Sequence, residues 1–233
     1  MINLDTCKNV VTIFAHPDDE TLAAGGTISK LTELGANCTV IIPATGVTAR
    51  GNKMTDEQVK MALAELRHDC NIALAHLGVG TENIVLGEFQ DNEMDGNTLL
   101  SVIQWLEEQV KSIEPDLILT HHRECTNIDH QICHEAVTVL SRPGEGWRIP
   151  VLCGEVPSST GYRRPTAFEP NLYVGLTEAQ VDNKIKSMQS FGGEARPDPH
   201  PRSPEVLKSL AKVRGSESGF LWAEAFMQLR AFA

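Results

Sequence analysis

Two short polar clusters carry the residue types that metal-assisted attack by water requires. Ala15-His16-Pro17-Asp18-Asp19-Glu20 sets an imidazole and a carboxylate three residues apart in a tight turn. His16 and Asp19 can both reach one zinc ion, which takes nitrogen and oxygen ligands at about 2.0–2.2 Å. Asp18 then lies beside such an ion rather than on it, where a carboxylate accepts the proton of an attacking water. Alone, the cluster reads equally as a solvated acidic turn whose Asp19 or Glu20 favours a helix start through the helix dipole. Further on, Asp129-His130-Gln131-Ile132-Cys133-His134 places two imidazoles four apart, one above the other on a helix face. At about 100° per residue, Ile128, Ile132, Ala136 and Val139 fall on the other side. One histidine completes a His-Asp-His set with an open position for water, the pattern of a catalytic zinc site. The other stays off the ion and steadies an oxyanion, with Asp129 orienting or charging it. Spacing does not decide which does which. A lone pair of this kind is a polar surface face; the two clusters together favour the metal.

Both clusters follow apolar runs that read as strands. Residues 10–14 (Val-Val-Thr-Ile-Phe) run into the first cluster, and a helical pattern with Leu22, Ile28, Leu31 and Leu34 follows. Residues 38–43 read as the next strand, so the opening is a parallel strand–helix–strand unit. Val59, Leu63, Leu66 and Cys70 mark a second helix, 84–86 a third strand, and Leu99, Ile103, Leu106, Val110 and Ile113 a third helix. Pro115 ends that helix. Residues 116–120 form a strand leading to His121-His122, a helix spans 127–140, and 151–155 is the last core strand. Beyond Val156 the pattern weakens into a Pro-rich part, with helices at 178–191 and 204–213 and a long loop at 192–204. This predicts one α/β domain over 1–233: a mostly parallel, Rossmann-like sheet with helices on both faces and an irregular C-terminal part. In such sheets ligands bind beyond the carboxyl ends of the strands, where both clusters lie.

Ala15-His16-Pro17-Asp18-Asp19-Glu20, with Gly25-Gly26-Thr27-Ile28, resembles the signature of the LmbE-like or PIG-L deacetylase family. The segment 129–134 resembles that family's second motif, and Arg214-Gly215 and Ala223-Glu224-Ala225-Phe226 its closing segment. The resemblance implies a zinc-dependent enzyme that removes acetyl from the nitrogen of an N-acetylglucosamine-type sugar, free, glycosidic or nucleotide-linked. It implies His16, Asp19 and His134 as zinc ligands, Asp18 as general base and His130 as the group that steadies the oxyanion. Zn²⁺ is the implied cofactor, with another divalent transition metal such as Fe²⁺ as the alternative. Candidate substrate contacts are Arg50, which follows the second strand; Asp91, which aligns loosely with a family aspartate near the sugar; and Glu155, at the end of the last core strand. Ser158 and Ser159 follow it. His68 and His76 read as ordinary helix residues, and His200 sits in the Pro-rich loop.

Composition narrows the partners. A net charge of -11 with no basic run opposes phosphate backbones and anionic lipid, so nucleic acid is not expected. No apolar stretch approaches membrane-spanning length. The six cysteines form no CxxC pair and no secretion signal precedes them, which reads as reduced thiols in the cytoplasm. The family resemblance implies a small amino-sugar molecule as partner; self-association is left open. Two rivals remain: Mg²⁺-dependent phosphoryl transfer on Asp18, Asp19 and Glu20, and a sugar- or metal-binding module without turnover. The first prefers oxygen ligands and a phosphate cradle, and the chain has neither P-loop nor GxGxxG.

Overall fold

The computed structural model describes residues 2–45, 54–144, 148–162 and 168–232. The β-branched and apolar runs form β1 (Asn9–Ile13), β2 (Asn37–Ala44), β3 (Ile84–Phe89), β4 (Leu117–His121) and β5 (Val151–Gly154), which pair with one another in parallel. Alternate residues feed opposite layers. Val10, Leu117 and Leu119 pack in one core with Leu22, Ile28 and Leu31, while Val11, Ile13 and Ile118 pack in the other with Val102, Leu106, Cys133 and Val137. A sheet buried on both faces needs apolar residues at every position, as continuous runs supply.

The helices are α1 (Asp19–Glu33), α2 (Asp56–Ala75), α3 (Leu99–Val110), α4 (Ile128–Leu140), α5 (Glu178–Ser190) and α6 (Pro204–Ser218). Side-chain caps set several starts: Thr55 and Thr177 form capping boxes, and Asn127 Oδ1 accepts from the Asp129 and His130 N–H groups. Such caps satisfy backbone donors that have no partner within the helix.

The C-terminal part is more regular than the sequence pattern predicts. It adds β6 (Leu172–Leu176) and β7 (Trp222–Arg230), giving the order β3-β2-β1-β4-β5-β7-β6. β7 runs antiparallel to both β5 and β6. Near its start stands Glu224, a residue that argues against a buried strand until its partners are seen. Glu224 accepts from the Gly26 and Thr27 N–H groups at 2.9 and 2.7 Å and from Lys184 Nζ at 2.7 Å. Gly26 permits the approach: a Cβ there would stand 2.4 Å from Leu176 Cδ1 and 3.3 Å from the Glu224 carboxylate.

Because β1 lies between β2 and β4, the connection after β3 crosses back over the sheet. The crevice beyond the carboxyl ends of β1 and β4 is therefore the topological switch point of the fold. Among the described residues, no helix is long and apolar enough to cross a membrane.

The buried Lys184–Glu224 pair ties α5 and β7 to the helix that follows the first polar cluster. Glu224→Ala leaves Lys184 buried without its counter-charge and lowers unfolding free energy by about 3–5 kcal/mol, read from urea denaturation. Removing the exposed Lys111–Glu108 pair leaves the midpoint nearly unchanged.

Candidate metal centre

The turn after β1 and the first turn of α4 meet at this switch point. His16 Nδ1 lies 3.1 Å from Asp19 Oδ2 and 3.2 Å from His130 Nε2, and His130 Nε2 lies 3.0 Å from Asp19 Oδ2. Three electron-pair donors at the corners of so small a buried triangle repel unless protons or a cation sit among them. A tetrahedral transition-metal ion with bonds of ~2.0–2.1 Å needs donors about 3.3–3.4 Å apart, close to these sides. Two nitrogens and one oxygen also suit such an ion better than magnesium. The donor set fits a metal.

His134 does not join this triangle. Its Nδ1 is 2.9 Å from the His121 carbonyl oxygen and 3.7 Å from Cys153 Sγ, one helical turn deeper along α4. His130 occupies the corner expected for His134, because only the first turn of α4 reaches the end of β1. Asp129 also differs from expectation. Its Oδ2 is 3.0 Å from His16 Nε2, so it orients His16 rather than His130. It is itself held by the Asn92 and Met94 N–H groups at 2.6 and 3.1 Å. Asp91, read from the sequence as a candidate substrate contact, has its Oδ1 2.8 Å from the same His16 nitrogen. With Nδ1 facing the triangle, His16 Nε2–H donates to these carboxylates, the outer support typical of metal-bound imidazole.

His130 has a different support. Its Nδ1 lies 3.0 Å from Cys125 Sγ, which in turn donates to Ser159 Oγ at 3.1 Å. Its ring stacks on His121 with centroids 3.8 Å apart and planes 16° from parallel. His121 Nε2 accepts from the Ala15 N–H at 2.7 Å. Neither His121 nor Cys125 stood out in the sequence as part of the site; the one signal was their position just after a core strand.

Asp18 is buried, and its Oδ2 accepts from Arg202 Nη1 at 2.8 Å. Glu155 turns elsewhere: it forms a bidentate pair with Arg214 at 2.7 and 2.8 Å, which uses the carboxylate proposed for substrate. Arg50 lies outside the described residues. A cavity of about 800 Å³ opens over the triangle, lined by His16, Asp18, Asp19, Asp91, His130 and Arg202 among others.

Burial and mutual charge set the protonation states. Burial, then the neighbouring Asp19 charge, raises the Asp18 carboxyl well above the usual carboxylate range despite Arg202. Burial likewise lifts Glu20 to about 7. For His130 burial opposes the charged form, but Asp19 and the Cys125 contact outweigh it and carry the group to about 9. His121 is pushed down by burial and by His130, which keeps it neutral.

An α/β sheet carrying an imidazole–carboxylate metal-type centre at its switch point is the class that fold and site define together. The chain belongs to the PIG-L family: the family model described as GlcNAc-PI de-N-acetylase matches residues 11–141, which include both polar clusters. It is similar to a Bacillus cereus protein named "Probable N-acetyl-alpha-D-glucosaminyl L-malate deacetylase 2", 26% identical over 190 residues that cover 78% of this chain and 81% of that one. Among solved structures it resembles the N,N'-diacetylchitobiose deacetylase of Pyrococcus horikoshii, with a TM-score of 0.71 and 20% identity over 97% of this chain and 85% of that one. It resembles equally GalB, the 4-carboxy-2-hydroxymuconate hydratase of Pseudomonas putida KT2440, with a TM-score of 0.72 and 20% identity over 97% and 98%. Likeness at that level shows the shared fold, and this fold serves two chemistries.

Two measurements check the centre. His130→Ala weakens metal binding, read by chelator competition, by well over the ~10–100-fold that loss of an outer partner costs, whereas His134→Ala stays within that range. In chelator-treated protein His130 holds its proton to about 9 against 6.5 when unperturbed, so this contribution is complete below pH 6.5 and lost as the pH rises through 9. Glu20, raised from 4.5 to about 7, acts in the same direction at lower pH. The melting temperature of metal-free protein therefore falls between pH 6.5 and 9, and added metal, which replaces the proton, flattens that slope.

Proposed function

We propose that this chain is a zinc-dependent N-deacetylase that hydrolyses the acetamide of an N-acetylglucosamine-type amino sugar. The observation that carries the reading is the His16–Asp19–His130 triangle with a second, buried carboxylate, Asp18, beside it in one cavity. Family membership and the activities named for the relatives support it. The reading makes His130, not His134, the third ligand.

When bound, the metal supplies Lewis-acid polarisation of the amide carbonyl and acidifies water at its open position. The chain's residues do the rest. Asp18 takes the proton of the attacking water as the new C–O bond forms. It returns that proton to the nitrogen as the C–N bond breaks, releasing acetate and the free amine. A carboxyl raised by burial and by Asp19 is a stronger proton acceptor than an exposed one, which is what a general base near neutrality needs. Asp129 and Asp91 keep His16 in the tautomer that presents Nδ1. A cavity of about 800 Å³ lies within the ~300–1,000 Å³ range of small-molecule sites and takes a sugar with an attached group. The six free cysteines support a reducing, cytoplasmic setting.

The test is release of free amine from N-acetylglucosamine derivatives by metal-loaded protein. Asp18→Asn lowers kcat by about 10²–10⁴-fold while metal content is retained, and chelation abolishes turnover until metal is restored. Wild type and Asp18→Asn equally inert across a broad panel, both metal-loaded, would count against the enzyme and for a binding module.

A further inference from the structure

The Pro-rich segment between α5 and α6 has no role in the sequence pattern, yet it reaches the candidate centre. Glu194, Arg196, His200 and Arg202 line the same cavity as His16, Asp18 and His130. Arg202 makes the most connections. Its Nη1 lies 2.8 Å from Asp18 Oδ2 and 2.5 Å from Glu194 Oε2, and its Nε donates to Ser158 Oγ at 3.2 Å.

Asp18 needs such a partner. It occupies the N-cap of α1 at φ 102°, in the left-handed region, and makes no side-chain cap hydrogen bond. Aspartate at an N-cap ordinarily fixes its carboxylate against the backbone donors of the first turn. Here that anchor is missing, and among the described residues Arg202 is the one hydrogen-bond donor to the Asp18 carboxylate. The contact spans 184 residues of sequence.

We propose that Arg202 is a positioning residue for proton transfer. It clamps Asp18 Oδ2 and leaves the other carboxylate oxygen to meet the attacking water. Ser158, after β5, and Glu194 fix the guanidinium in turn, so the Pro-rich segment and the loop after β5 together aim the base. Arginine suits the task because its rigid fork offers several donors in fixed directions, which a lysine point charge lacks. The inference rests on the reading of Asp18 as general base.

The experiment uses full-length, metal-loaded protein in the amine-release assay. Misplacement of a reacting group by ~1 Å costs about 10²-fold, so Arg202→Ala lowers kcat by about 10²-fold with KM little changed. The variant stays folded and metal-loaded at the assay temperature, with a melting temperature lowered by the loss of the Asp18 counter-charge. Low-millimolar methylguanidinium, filling the vacated space, restores part of the lost kcat in Arg202→Ala and does nothing to wild type; a purely structural arginine would not respond in this way. Arg202→Lys recovers only part of the rate. Wild-type kcat in Arg202→Ala, or a loss in folded, metal-loaded variant that methylguanidinium does not relieve, overturns the proposal. Should Arg202→Ala fail to fold, Arg202→Lys and the double variant Ser158→Ala/Glu194→Gln decide it, and wild-type kcat in both overturns it. An inert wild type sinks the deacetylase reading and this inference together, whereas an active wild type with an unaffected Arg202→Ala sinks the role of Arg202 alone.

Discussion

Three lone-pair donors held 3.0–3.2 Å apart in a buried site are stable only with a proton or a cation shared among them. Buried acceptors at that distance repel, and burial removes the water that would screen them. What holds them is the sheet. β1 and β4 are adjacent and parallel, so the turn after one and the helix after the other emerge at the same edge. The side chains have no freedom to relax apart, because His16 is gripped from behind by Asp129 and His130 is stacked on His121. In metal-free protein a proton on His130, held there by Asp19, relieves that repulsion, and a bound cation would take its place.

The two imidazoles are supported by chemically different outer partners. His16 leans on carboxylates, of which Asp129 is fixed by backbone donors of Asn92 and Met94. That links the segment after β3 to the metal-type centre. His130 leans on the Cys125 thiol, a weaker and softer acceptor than a carboxylate. Carboxylate partners raise the basicity of an imidazole ligand more than a thiol does, so the two nitrogens are not equivalent donors. Asp19 and Asp18, adjacent in sequence, are likewise divided in role by what faces them. Asp19 has two imidazoles and is drawn well below the ordinary range by His130 and His16 against the cost of burial; Asp18 has a guanidinium and stays above it.

Much of this was legible in the sequence, and the failures share a cause. His16, Asp18 and Asp19 were readable as a group because spacing of up to three residues in a turn is local geometry. β1, β2, β4 and β5 were readable because strands buried on both faces need apolar runs, and the edge strand β3 only over its apolar first half, 84–86. The choice between His130 and His134 was not, since both lie on one face of α4. Only the depth at which α4 docks on β4 separates them: the family resemblance pointed to His134, whereas the close triangle with His16 and Asp19 takes in His130. β7 hid behind Glu224, whose burial makes sense only with Lys184 and the α1 backbone around it. Glu155 sat where a substrate ligand belongs, but Arg214, 59 residues away, claims it. Arg202 gave no signal either, because nothing in a Pro-rich segment announces a partner 184 positions earlier.

The fold does not choose the reaction: a deacetylase and a hydratase lie at nearly the same structural distance from this chain. Both chemistries begin with water that must lose a proton, and they part at the acceptor, an amide carbonyl in one case and a carbon–carbon double bond in the other. The first puts negative charge on oxygen, where a Lewis acid is most effective. It then requires a proton at the leaving nitrogen, which the group that took it from water can deliver. A single carboxylate fixed by one oxygen, with its other oxygen free to face first water and then amine, meets that double demand without a second acid. The roles proposed for Asp18 and Arg202 fit amide hydrolysis, the reaction named for the deacetylase relatives, within a fold that permits more than one outcome.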